Sequence, residues 1–143
     1  MPRYVVQKHF RSKRDFHFDL MLEAEGRLVT FSASAPPDRT KALPCLVQQL
    51  ADHPVRFLDY EGDLPKAGPT PRMSGWCRIH DRGTFEWLEP PEGASPPDEG
   101  RASLETADEV RIRLAGKKAK GVYQLTREPA SGTDYWRLKQ VTE

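Results

Sequence analysis

Strict alternation of apolar and polar residues marks positions 16–23. Phe16, Phe18, Leu20 and Leu22 share one face of an extended chain, with His17, Asp19, Met21 and Glu23 on the other. Tyr4–His9 before it is short and β-branched. Ala24-Glu25-Gly26 after it reads as a tight turn into Arg27–Ser34. Val55–Tyr60, Gly83–Leu88, Glu109–Leu114, Gly121–Thr126 and Tyr135–Gln140 carry the same strand signal. One stretch reads differently. Leu43, Leu46, Val47 and Leu50 are spaced to share one face of a helix, and a short helix is predicted there. At least seven short strands in one chain point to a closed or nearly closed β-barrel, a form that leaves no exposed edges.

Composition fits that reading. The chain has 143 residues, enough for a single domain spanning residues 1–143, and its 13 prolines and 10 glycines suit a turn-rich fold. Pro-rich segments lie at Ala35–Asp38 and Pro90–Pro97, and Lys66–Ser74 is another expected loop. Cys45 and Cys77 do not form a C-x-x-C pair and are read as reduced thiols. No apolar run is long enough to span a membrane, and the N-terminus lacks the apolar stretch of a signal peptide; a cytoplasmic protein is expected.

Charge changes the picture only when sorted by position. Lys and Arg number 22 and Asp and Glu 21, a net charge of +1, which excludes a histone-like polycation. Yet Arg3, Lys8, Arg11, Lys13 and Arg14 lie in residues 1–14 with no acid. Arg111, Arg113, Lys117, Lys118, Lys120 and Arg127 lie in residues 110–127, also with none. The acidic surplus sits between them, in residues 86–109. Clustered charge of this kind is compatible with a nucleic-acid surface.

The candidate chemistry lies in the first two strands. Gln7 and His9 share a face, as do His17 and Asp19. An antiparallel hairpin would bring His9 near His17 and Asp19. Two imidazoles and a carboxylate suit a divalent transition metal with open positions for water and substrate. On spacing alone, the polar outer face of a hairpin is the better account of the pattern. The linking segment Arg11-Ser12-Lys13-Arg14 is either a solvated loop or a cationic funnel for a polyanion.

The segments VVQKH, HFDLMLE, DHPVRFLDYEG, DRGTFEW, LAGKKAKGVYQLTR and YWRLKQ, in that order from Tyr4 to Gln140, resemble the 3′-phosphoesterase module of bacterial DNA ligase D. The resemblance implies a mainly β fold, a small closed or nearly closed β-barrel with one or two short flanking helices. It implies a manganese-dependent enzyme, with other divalent transition metals possible in that place. Its substrates would be 3′ ends of DNA or DNA–RNA strands. It would remove a 3′ ribonucleoside and then the 3′-phosphate, in the company of end-joining ligase and polymerase proteins. By position, His9, His17 and Asp19 match the metal-binding residues, Gln7 a glutamine beside the site, and His53 an active-site histidine on the scissile phosphate.

The departures from that family concern phosphate ligands. Met21, Ala35 and Cys45 stand where the family carries Arg, Lys and Arg, and Phe57 where it carries Tyr. Methionine cannot replace the forked donors of a guanidinium. Arg11, Arg14, Lys66, Arg72 and Arg82 are candidates to take over phosphate binding, and the sequence does not rank them. Two alternatives therefore stand beside the leading reading: a catalytically weak or inactive end-binding repair domain, and a phosphoesterase for a different, smaller substrate. His80-Asp81 is open to reading as a second metal pair but aligns better with a structural position. Phe16 and Phe18 are expected in the core, Trp76, Trp87 and Trp136 in the core or at its rim, and Glu61 is a candidate partner for a metal-bound histidine.

Overall fold

A computed structural model of the chain describes residues 1–64, 75–88, 104 and 107–142. Its strands are β1 (Arg3–Phe10), β2 (Phe16–Ala24), β3 (Arg27–Ala33), β4 (Cys45–Pro54), β5 (Gly62–Leu64), β6 (Gly75–Leu88), β7 (Glu109–Gly116), β8 (Lys120–Arg127) and β9 (Tyr135–Val141). All pairings are antiparallel, in the order β1-β2-β3-β4-β9-β8-β7-β6, and β6 returns to β1. Eight strands thus close a barrel, and β5 is added to the outer edge of β6 near its start. Short 3-10 turns at Pro37–Arg39 and Val55–Leu58 flank it. Among the described residues no helix is long and apolar enough to cross a membrane.

Local chemistry explains the hairpins. β2 and β3 are joined through Glu25 and Gly26, both at positive φ, which gives the strand-compatible twist of a two-residue turn. The barrel interior is packed with Tyr4, Leu20, Phe31, Phe85, Ile112, Tyr123, Leu125 and Trp136, all buried. Only alternate residues of most strands reach it. The β1–β2 hairpin is different, because it is buried on both faces. Val5, Met21, Leu28 and Leu58 form a second, smaller cluster outside the barrel, beneath the Val55–Leu58 turn, with Phe57 and Ile79 against it. That outer cover turns one end of the hairpin's polar face into a half-buried site.

Three sequence expectations are corrected. Residues 43–50 are not a helix, since β4 begins at Cys45. Within β4, Cys45 and Val47 point into the core while Leu46 is 39% exposed, a two-residue period that the leucine spacing concealed; Leu43, 75% exposed, precedes the strand. Pairing with β3 and β9 supplies the ladder that outweighs local helical preference. Val55–Tyr60 is not a strand. β4 ends at Pro54, and the next residues turn as a 3-10 helix that drives Leu58 into the outer cluster. Phe16 is not in the core; it is 40% exposed at the loop end of the hairpin, whereas Phe18 is buried as expected. Lys66, Arg72 and the Pro-rich acidic segment lie outside the described residues.

One buried carboxylate organises the far end of the barrel. Asp81 accepts hydrogen bonds from the Tyr4 hydroxyl (2.6 Å) and from the backbone N–H groups of Lys117 (2.9 Å), Lys118 (3.0 Å) and Ala119 (2.9 Å). Burial alone would raise its pKa, but these four donors outweigh burial and hold the carboxyl below its ordinary range. The basic turn of residues 117–120 is therefore a shaped loop. Gly116 at its start has no room for a side chain, because a Cβ there would collide with the Tyr4 hydroxyl and the Asp81 carboxylate.

Candidate functional site

The register of the hairpin sets the site. On its outer face Val5 lies opposite Met21, Gln7 opposite Asp19, and His9 opposite His17. His9 also faces Cys77 of β6. These are cross-strand neighbours on one surface, so the side chains converge without any long loop. The ligand atoms of His9, His17 and Asp19 all lie within 4.8 Å of one another, the only such group of three among the described residues. His17 Nε2 is 3.1 Å from Asp19 Oδ1 and 3.2 Å from Oδ2, with hydrogen-bond geometry met at Oδ2. His9 Nδ1 is 4.0 Å from Asp19 Oδ2, and the two imidazole rings meet edge-on at 4.7 Å.

Two polar atoms of this group are buried without a hydrogen bond. Asp19 is 4% exposed, yet its Oδ1 makes no hydrogen bond; His9 Nε2 is likewise buried without one. Buried polar atoms without partners cost about 1–3 kcal/mol each, and they mark a place for an ion or water. Burial lowers the His9 pKa first, and repulsion from His17, Arg11 and His53 adds to it against the pull of Asp19. His9 is thus held neutral, with a lone pair to offer. The donor set of two nitrogens and one carboxylate fits a divalent transition metal.

Gln7 ties the site to its cover. Its Nε2 donates to the carbonyls of Phe57 (2.9 Å) and Tyr60 (2.7 Å), pinning the turn that carries the outer cluster. Its Oε1 is buried and unpaired. His53 stands at the end of β4, opposite Leu28, with its ring 6.0 Å from that of Phe57. Its Nδ1 lies 3.0 Å from the Ala51 carbonyl, which can only accept, so Nδ1 carries a hydrogen and Nε2 is left for other work. His53 is not hydrogen-bonded to the His–His–Asp group.

The expected phosphate ligands divide. Arg11 and Arg14 are exposed in the hairpin loop, and the Arg11 charge is felt at His9. Arg82 instead bonds Asp59 (3.4 Å), which also holds Arg3 at 2.6 Å. Met21, Ala35, Cys45 and Phe57, where the family resemblance leads one to expect polar groups, are all packed against apolar clusters. Arg56, three residues after His53, has its guanidinium over the Phe57 ring at 5.0 Å, on the same turn that neighbours His53. Glu61 does not support a histidine. Its carboxylate takes the Ile79 N–H (2.7 Å), beside the bulge where β6 carries the extra residue His80 against β1. His80 pairs with Asp38 (3.0 Å) and Asp81 serves the 117–119 turn, so they do not form a joint metal pair.

The model of the DNA ligase D 3′-phosphoesterase domain matches residues 7–127, a span that includes Gln7, His9, His17, Asp19 and His53. This chain belongs to the DNA ligase D 3′-phosphoesterase domain family. It is 31% identical over 130 residues to the multifunctional non-homologous end joining protein LigD of Pseudomonas aeruginosa, covering 91% of this chain. It is 31% identical over 125 residues to the protein of the same name from Mycolicibacterium smegmatis, covering 86% of this chain. The matches cover 14% and 15% of those proteins, so the chain corresponds to one small part of each.

Proposed function

We propose that this 3′-phosphoesterase-family domain is a metal-dependent hydrolase that trims 3′ ends of DNA or DNA–RNA strands. It would remove a terminal ribonucleoside and then the 3′-phosphate, leaving a 3′-hydroxyl. The observation that carries the proposal is the convergence of His9, His17 and Asp19, whose ligand atoms lie within 4.8 Å of one another around a buried carboxylate. These three residues would hold Mn²⁺ or another divalent transition metal. When bound, the metal supplies polarisation of a phosphate oxygen and a lowered pKa for a coordinated water.

The remaining work falls to the chain's own groups. His53 has its Nδ1–H fixed on Ala51; when its ring is protonated, Nε2–H donates a hydrogen bond to the phosphate or serves as the acid for the leaving oxygen. Gln7 Oε1 accepts a hydrogen from a water or hydroxyl in the site, while its amide keeps the covering turn in place. Arg11, Arg14 and Arg56 offer charge to the strand's phosphates. Proteins that seal or extend the trimmed end, an end-joining ligase and polymerase, would act next on the product.

A second reading rests on a specific observation. The four apolar residues at expected phosphate-ligand positions favour weak turnover, or an end-binding accessory domain that keeps the barrel. A primer–template ending in a single ribonucleotide separates the two. Shortening of the primer that requires Mn²⁺ supports the hydrolase. Tight, end-specific binding without shortening, at enzyme excess, supports the accessory domain and overturns the proposal.

A further inference from the structure

The barrel end that carries the proposed metal centre also carries an aromatic row that the hydrolytic reaction does not use. One residue further along the same three strands than His17, His9 and Cys77, a step of about 3.3 Å, lie Phe16, Phe10 and Trp76 in register. They sit on the opposite face of the hairpin. Phe10 stacks on Trp76 with the rings 7° from parallel and 5.1 Å apart, and Phe16 meets Phe10 at 5.5 Å. Phe16 is 40% exposed, although a residue of this type gains by burial.

A cation is built into this row. The Lys8 ammonium lies 4.1 Å from the Phe16 ring centre, 5.0 Å from that of Phe10 and 5.7 Å from that of Phe18. Among the described residues no carboxylate pairs with it. The hairpin loop next to the row adds Arg11, Lys13 and Arg14 against Asp15 alone. An exposed ring, stacked rings behind it and unneutralised cations around it match the requirements of an unpaired nucleotide, whose base stacks while its phosphates meet positive charge.

We propose that the Phe16–Phe10–Trp76 rim stacks the unpaired terminal base of a nucleic-acid 3′ end, so that the protein prefers a frayed end to a blunt one. The inference rests on the phosphoesterase reading for its choice of the 3′ terminus. It commits to a base-stacking role for residues that packing alone would have buried.

The test uses metal-free protein, so that no strand is cut, and fluorescence anisotropy with oligonucleotides labelled at the 5′ end. One probe ends in an unpaired 3′ base, one in a 3′ abasic residue, one is blunt. The wild type should bind the unpaired-base probe about tenfold or more tighter than the other two, the scale of one stacked base. Phe16→Ala should remove that preference without changing the slope of affinity against salt, because no phosphate contact is lost. Phe16→Tyr should keep it. Equal affinity for base-bearing and abasic ends, or an unaltered preference in Phe16→Ala, overturns the proposal. Failure of the hydrolase reading looks different: no primer shortening with Mn²⁺, alongside an intact preference for the unpaired base.

Discussion

Asp81→Asn offers a measured probe of the barrel end. The carboxylate receives four donors, three of them backbone amides of residues 117–119 and one the Tyr4 hydroxyl. An asparagine keeps the shape but has one acceptor oxygen. If that oxygen serves Lys117 and Lys118, the amide nitrogen faces Tyr4, whose hydroxyl can turn toward the Ala119 carbonyl at 3.5 Å. The Ala119 N–H is then buried without an acceptor, at about 1–3 kcal/mol. The other bonds lose their charge assistance, which roughly halves them. Together the substitution should cost about 2–4 kcal/mol, a melting-temperature drop of roughly 5–15 °C for a chain of this size.

The pH dependence gives a sharper check. The folded Asp81 pKa lies below its unfolded value, so its stabilisation is fully present above the unfolded value of about 3.9 and is lost as pH falls through the folded pKa. Thermal or urea unfolding of the wild type and Asp81→Asn between pH 7 and pH 3 should show a gap that narrows at the acid end. A variant as stable as the wild type at pH 7, or a gap that stays constant to pH 3, would refute the reasoning.

Two further changes test packing. Gly116→Ala places a methyl group into the Tyr4 hydroxyl and the same carboxylate, and should destabilise by about 1–3 kcal/mol, read from the urea midpoint. Met21→Ala empties the small outer cluster with Val5, Leu28 and Leu58, and should cost about 2–5 kcal/mol by the same measurement.

The sequence carried the hairpin and its chemistry well because a period of two assigns faces without knowledge of partners. Gln7, His9, His17 and Asp19 were legible together for that reason. What it hid came from tertiary neighbours. The leucines of residues 43–50 satisfy a helical spacing, and only pairing with β3 and β9 decides for a strand. Phe16 alternates correctly with Phe18, yet the barrel ends between them, so identical patterning gives one exposed and one buried ring. Met21 lies on the nominally polar face of β2 and is buried because Leu58 arrives from a turn more than thirty residues away. Cys77 shares the row of His9, and burial first, with Glu61 and Asp19 adding, raises its thiol pKa against the opposing Gly62 amide; no spacing in the chain announces that neighbourhood.

The central claim is that His9, His17 and Asp19 together hold one divalent metal, and Mn²⁺ titration followed by electron paramagnetic resonance tests it most directly. The account predicts one tightly bound ion per wild-type chain. His17→Ala should weaken it by more than the about 10–100-fold that loss of a mere supporting partner costs. Wild-type protein that binds no Mn²⁺, or a His17→Ala variant that binds it as tightly as the wild type, would contradict the account.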